Sequence, residues 1–285
     1  MIEILRAGAL TTVQDLGRRG LAHLGVARSG AADRDSLRLA NRLVGNREGA
    51  ACLEITFGGF GARFHEAAIV AVAGAPCPVR VSDHQAFMYG PIQLNAGDEL
   101  SVGPPAQGVR TYLAVRGGVD VPPVLGSRST DVLAGLGPDP LWSGMLLSVG
   151  TDARELPGVD VAPVAPIPEE ITLRVMPGPR DDWFTPAALT VLTSNPYEVT
   201  AQSNRVGIRL SGAMLERSRT GELPSEGTVC GSLQVPPSGQ PVLFLADHPV
   251  TGGYPVIAVV WEQDICLAAQ ARPGQRLRFH AVMPR

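Results

Sequence analysis

The residues best equipped for chemistry gather in the last third of the chain. Ser203-Asn204-Arg205-Val206-Gly207-Ile208-Arg209-Leu210 is followed by Ser225-Glu226-Gly227, by Gln234-Val235-Pro236, and by Asp247-His248-Pro249-Val250-Thr251-Gly252-Gly253-Tyr254-Pro255. The forked guanidinium groups of Arg205 and Arg209 suit a carboxylate or a carbamate. Asp247, directly after an apolar run, reads as a catalytic base or a polar orienter. Gly252 and Gly253 leave backbone N–H groups uncovered where a side chain would otherwise stand, which suits an oxyanion. Tyr254 offers a wall with a hydroxyl. Ser225, Glu226, Gln234 and Thr251 complete the candidate substrate-binding set. Taken singly, each residue is better explained by a solvated hairpin turn. Taken together, they point to a site for a planar amide or carboxylate.

Two further clusters stand in the first half. Thr11-Thr12-Val13-Gln14-Asp15-Leu16-Gly17-Arg18 precedes Ser29-Gly30-Ala31-Ala32-Asp33, and Tyr112-Leu113-Ala114-Val115-Arg116-Gly117-Gly118 precedes Gly126-Ser127-Arg128-Ser129-Thr130. Gln14, Asp15 and Arg18 can contact a polar substrate, and the Ser/Arg cluster can hold an anion. The same side chains can instead satisfy the backbone of their own turns. Standard signatures are missing. There is no GxSxG elbow, His65-Glu66 lacks the second histidine of a zincin helix, and Gly58-Gly59-Phe60-Gly61 does not continue as a dinucleotide fingerprint. His23, His65, His84, His248 and His280 are dispersed, and Cys52, Cys77, Cys230 and Cys266 show no zinc-ligand spacing, so no metal is expected.

The composition removes whole mechanisms. All 24 basic residues of the 285 are arginine, against 27 acidic ones, for a net charge of −3. Without lysine there is no Schiff base, no lysine-attached biotin or lipoyl group, and no phosphate-loop lysine. The near-neutral charge argues against a nucleic-acid partner. The apolar stretches are too short and too broken by Gly and Pro to span a bilayer. With scattered thiols and no leader-like start, the expected compartment is the cytoplasm.

The elements that must position these residues are mostly strands. Ile171, Leu173 and Val175 alternate with polar neighbours, as do Tyr197 and Val199, and Leu277 and Phe279. The runs 69–73, 242–246 and 256–261 read as strands buried on both faces. Helices are few. One is expected over 32–44, with Leu37, Ala40 and Val44 on one face, Asn41 elsewhere, and Gly45-Asn46 as its stop. Another starts at Pro186. The four prolines of residues 156–170 make a stiff connector. The expected organisation is two β domains: 1–160, a Pro-rich connector at 161–169, and 170–285.

In order along the chain, TTVQDLGRRG, GVARSGAAD, ANRLVGN, LEITFGG, YLAVRGG, GSRST, SNRVGIRLSG, SEGTVCGSLQVPPSG and TGGYPVIAVV resemble the biotin-dependent carboxyltransferase family. Its members include allophanate hydrolase subunit 2, KipA and the C component of 5-oxoprolinase. The resemblance implies an all-β fold whose C-terminal half is a cyclophilin-like β-barrel. It also implies a KipI-like allophanate hydrolase subunit 1 as partner, with a third, lactam-opening subunit in the 5-oxoprolinase system. The function implied is that of a subunit of an ATP-dependent amidohydrolase acting on a small amide or lactam, with ATP used in the assembled complex and weak or no activity alone. Two alternatives are a carboxyltransferase subunit, its biotin carried on another chain, and a KipA-like regulatory binder. Relatives often carry Gln-Thr-Thr before Gly-Gly-Tyr-Pro. Here Pro249-Val250-Thr251 removes an amide and a hydroxyl.

Overall fold

The computed structural model describes residues 1–282. They form two compact units. The first comprises Met1–Arg18, Ser29–Asp131 and Gly135–Ile167, and the second comprises Arg19–Arg28, Val132–Ala134 and the chain from Pro168 onward.

The first unit holds two antiparallel sheets. One has seven strands, in the order Val119–Asp120, Leu146–Val149, Ile2–Ala7, Phe60–Phe64, Glu99–Val102, Val79–Val81 and His84–Ala86. The other has five, in the order Leu10–Gln14, Cys52–Thr56, Arg110–Val115, Ala68–Gly74 and Pro91–Leu94. Strand Arg110–Val115 is buried at every position. Its alternation explains why. Leu113 and Val115 enter a core with Ile4, Phe60 and Phe64 of the seven-stranded sheet, while Tyr112 and Ala114 face the other way. On that second face, Leu37, Ala40 and Leu43 of helix Arg34–Leu43 pack over Ala71, Ala73 and Ala114. The small side chains let the helix lie close to the sheet.

The helix begins two residues on from where the Ala-rich run suggests, because Asp33 is its N-cap and accepts from Ser36 N at 3.0 Å. It ends at Val44, before Gly45 with φ +70°. Asn41 departs from the periodicity reading. It is fully buried, donating to Ala50 O at 2.8 Å and accepting from Asn46 Nδ2 at 2.9 Å. Within the proline-rich stretch no helix or strand forms before Glu170, and Ala162 is fastened to Tyr89 O at 2.8 Å.

The second unit is a closed barrel of seven strands. Around it run Glu170–Pro177, Val256–Val260, Ser232–Gln234, Val242–Phe244, Gly207–Gly212, Tyr197–Val199 and Arg276–Ala281. Closure is parallel, Glu170 opposite Arg276 through Val175 opposite Ala281. Ile171, Leu173 and Val175 point inward with at most 1% exposure, and the residues alternating with them face outward. The mostly-β class and the C-terminal barrel are as expected. Helix Pro186–Ser194 begins on its proline and sends Ala188 and Leu192 into the barrel core, while a short helix, Ile265–Ala268, lay outside the sequence pattern.

Candidate functional site

Most of the C-terminal candidates meet beside the barrel. Glu226–Gly227 and Thr251–Gly252 form a two-stranded ribbon with Glu226 opposite Gly252. Thr228 continues it, its N–H donating to Val250 O at 2.8 Å and its hydroxyl to Pro249 O. Gln234 Nε2 donates to Tyr254 O at 2.9 Å, and Val235 N to Pro255 O at 3.0 Å. These bonds fix the Thr251–Pro255 turn against the end of a barrel strand. Glu226 is held in turn by Arg180, whose Nε lies 2.9 Å from Oε2 and whose Nη2 donates to Oε1. That charge-assisted hydrogen bond holds the Glu226 carboxyl below its ordinary pKa.

Several polar groups on this rim stay unspent. Among the described residues, nothing accepts from the N–H groups of Gly253 or Tyr254, and Gln234 Oε1 and the Tyr254 hydroxyl bond to no side chain or backbone group. Two successive idle N–H groups beside an idle amide oxygen can receive a carbonyl oxygen and an amide N–H. Ser225 lies next to Glu226 and is exposed.

Gly252 leaves room here for the Gln234 amide. A Cβ at this position would stand 2.5 Å from Gln234 Nε2. Gly252→Ala is therefore expected to push the Gln234 amide off Tyr254 O, a loss of about 1 kcal/mol confined to the turn. Hydrogen exchange should show Val235 N–H losing protection while the barrel amides keep theirs.

Arg205 and Asp247 are placed differently from Arg209. Arg205 and Asp247 are 1% and 0% exposed and form a bidentate pair, Nε to Oδ2 at 2.8 Å and Nη2 to Oδ1 at 2.9 Å. Val132 N adds a third bond to Oδ2 at 3.2 Å. With both oxygens engaged, Asp247 would have to break this pair to act as a base. The pair anchors the start of the segment that becomes the rim. Next along it, His248 stacks on Phe244, ring centroids 5.9 Å apart and 11° from parallel. Arg209 is exposed on strand Gly207–Gly212, with no side-chain hydrogen bond or ion pair to the rim residues.

The N-terminal motifs sew the first unit together. Asp15 accepts from Gly17 N at 2.7 Å, Arg128 N at 2.7 Å, Ser127 Oγ at 2.6 Å and Ser129 Oγ at 2.5 Å. Arg18, 2% exposed, donates to Val124 O and Ser129 O, and Gln14 Nε2 donates to Thr130 O. The two motifs thus satisfy each other's turns. Glu54 accepts from the Tyr112 hydroxyl at 2.6 Å and from Ala32 N at 3.0 Å, with Arg110 Nε 3.5 Å away.

The carboxyltransferase domain, subdomains A and B, matches residues 24–281. This chain belongs to that family. The C component of the Escherichia coli 5-oxoprolinase is 39% identical over 282 residues, covering 98% of this chain and 90% of the relative. The solved urea amidolyase of K. lactis superposes with a TM-score of 0.92 at 32% identity, covering 99% of this chain and 19% of the enzyme. The crystal structure of TTHA0988 gives 0.90 at 38% identity, covering 98% of this chain and 55% of that one. The chain thus spans most of the bacterial relative but only about half of one solved neighbour and a fifth of the other.

Within the family domain, sequence reasoning missed Arg180, Arg217, Thr228 and His248 as neighbours of the rim. Thr228 stood inside a quoted motif, SEGTVCGSLQVPPSG, but Arg180 and Arg217 lie in irregular segments where no period marks a facing side. Among the described residues, no group of three or more His, Cys, Asp and Glu side chains is placed to hold a metal ion. No helix among them is long and apolar enough to cross a membrane.

Proposed function

We propose that this chain is a subunit of a cytoplasmic, ATP-dependent amidohydrolase that opens a small amide or lactam. The observation that carries the reading is the rim itself: Glu226, Gln234, Gly252, Gly253 and Tyr254 held together with their amide-binding groups unspent. Gly253 and Tyr254 N–H polarise the substrate carbonyl, and Gln234 Oε1 receives its N–H. Glu226, oriented by Arg180, fixes the ribbon on which they stand. Similarity to a protein named as one component of a 5-oxoprolinase supports a lactam as the substrate class and further subunits as partners. A KipI-like subunit 1 and a lactam-opening subunit are the partners proposed. With no lysine in the chain, nucleotide chemistry falls to those partners.

The test is reconstitution. The chain co-expressed with its partner subunits should convert 5-oxoproline to glutamate only when ATP is present, and should do little alone. A complete complex without ATP-dependent turnover would overturn the reading. The matched carboxyltransferase domain favours one second reading, transfer of a carboxyl group to a small amide. Any biotin would then arrive on another chain, and a biotinylated protein should co-purify.

A further inference from the structure

We infer that Arg217 is the carboxylate anchor of the rim, so that the site selects a small molecule bearing both an amide and a carboxylate. The inference rests on the rim being the substrate site, and it deepens that reading by naming what the substrate must carry.

Arg217 is set up unlike its neighbours. Arg180 is spent on Glu226, Arg205 on Asp247, Arg174 on Asp264 and Arg219 on Asp182. Among the described residues, no carboxylate pairs with Arg217. Its Nη2 donates to Val235 O, while its Nε is buried with no acceptor. A buried guanidinium N–H without a partner is costly, and a half-buried guanidinium without a counter-charge is costlier. Burial accordingly holds the Arg217 pKa below its ordinary value.

The position is also rigid and adjacent to the turn. Arg217 bridges Phe184, Ser218 N donates to Trp183 O at 2.9 Å, and Thr185 N donates to Glu216 O at 3.1 Å. The guanidinium carbon lies 5.9 Å from the Tyr254 ring centroid, and its Nη2 holds the residue that follows Gln234. What the guanidinium lacks is a counter-charge, which a carboxylate supplies end-on to Nη1 and the second proton of Nη2, the edge that is not closed off with Nε. The rim then offers complementary halves: Arg217 for a carboxylate, Gln234 Oε1 for an amide N–H, and the turn N–H groups for the amide carbonyl. A carboxylated lactam uses all three.

Calorimetric titration of the full chain, and of the reconstituted complex, compares 5-oxoproline with 2-pyrrolidinone, the same ring without the carboxylate. The wild type should bind 5-oxoproline at least thirtyfold more tightly. Arg217→Gln should lose tenfold or more of that affinity while leaving 2-pyrrolidinone binding and the melting temperature unchanged. In the complex it should raise KM for 5-oxoproline more than it lowers kcat, with Arg217→Lys intermediate. Equal affinity of Arg217→Gln and wild type for 5-oxoproline would overturn the inference, as would no binding to either preparation or equal loss of both ligands. Weakened partner co-purification with ligand binding intact would overturn it in favour of a partner carboxylate. Arg217-dependent binding without turnover would sink only the proposed activity. Turnover with a KM indifferent to Arg217→Gln would sink only the anchor.

Discussion

Asp247→Ala should lower the stability of the chain by about 3–5 kcal/mol, because it takes this counter-charge from a guanidinium that is 1% exposed. Arg205 would keep its place in the interior and lose both of its Asp247 contacts, at 2.8 and 2.9 Å. Val132 N–H would lose an acceptor as well. The rim sits only a few residues further along the chain, so activity should fall with the fold. Asp247→Asn keeps one acceptor and the shape, and should cost less. Arg205→Met combined with Asp247→Leu removes both charges together and should recover most of the loss, since a buried pair and well-packed apolar residues are often near parity. Denaturant unfolding of the three variants checks the ordering. A fully stable Asp247→Ala protein that is nonetheless inactive would return Asp247 to the role of a base.

How much of this was legible in the sequence depends on the range of the interaction. Strand Glu170–Pro177 and the strand containing Leu277 and Phe279 declared their inward faces by alternation, a property of neighbours in the chain. Pro186 marked a helix start for the same local reason. Arg205 and Asp247 were both conspicuous, yet their pairing spans 42 positions and depends on how strand Gly207–Gly212 registers against Val242–Phe244. Spacing cannot convey that register. Arg205 and Arg209, four residues apart, read as a matched set of clamps, but Arg205 is buried just before the strand while Arg209 is exposed within it. Arg217 was silent for a different reason. It owes its importance to what is absent around it, a counter-charge, and that becomes visible only once neighbours are placed.

A comparable buried arrangement in the first unit carries the other large expectation. Glu54 stands in the apolar strand Cys52–Thr56 and Tyr112 in the fully buried strand Arg110–Val115, and a charge in such a run demands partners. Glu54 finds them in the Tyr112 hydroxyl, Ala32 N–H and Arg110. Tyr112 in turn accepts from Asp33 N at 2.8 Å, which ties the helix cap to the sheet. Glu54→Ala should therefore cost about 3–5 kcal/mol, leaving Arg110, 4% exposed, without this counter-charge and Ala32 N–H without this acceptor. Glu54→Gln should cost less, since an amide oxygen still accepts from Ala32. Alkali provides a second readout. Burial, reinforced by the Glu54 charge, raises the Tyr112 phenol well above its ordinary pKa. The unfolded chain would release that proton at about pH 10, and the folded chain retains it. The stabilisation is thus fully present below that pH and lost as pH rises toward the folded value. Tyrosinate absorbance should show Tyr112 ionising together with alkaline unfolding in the wild type. In Glu54→Gln, without the carboxylate charge, its ionisation should move to lower pH. A wild-type phenol that titrates freely at about pH 10 in the folded protein would disprove the coupling.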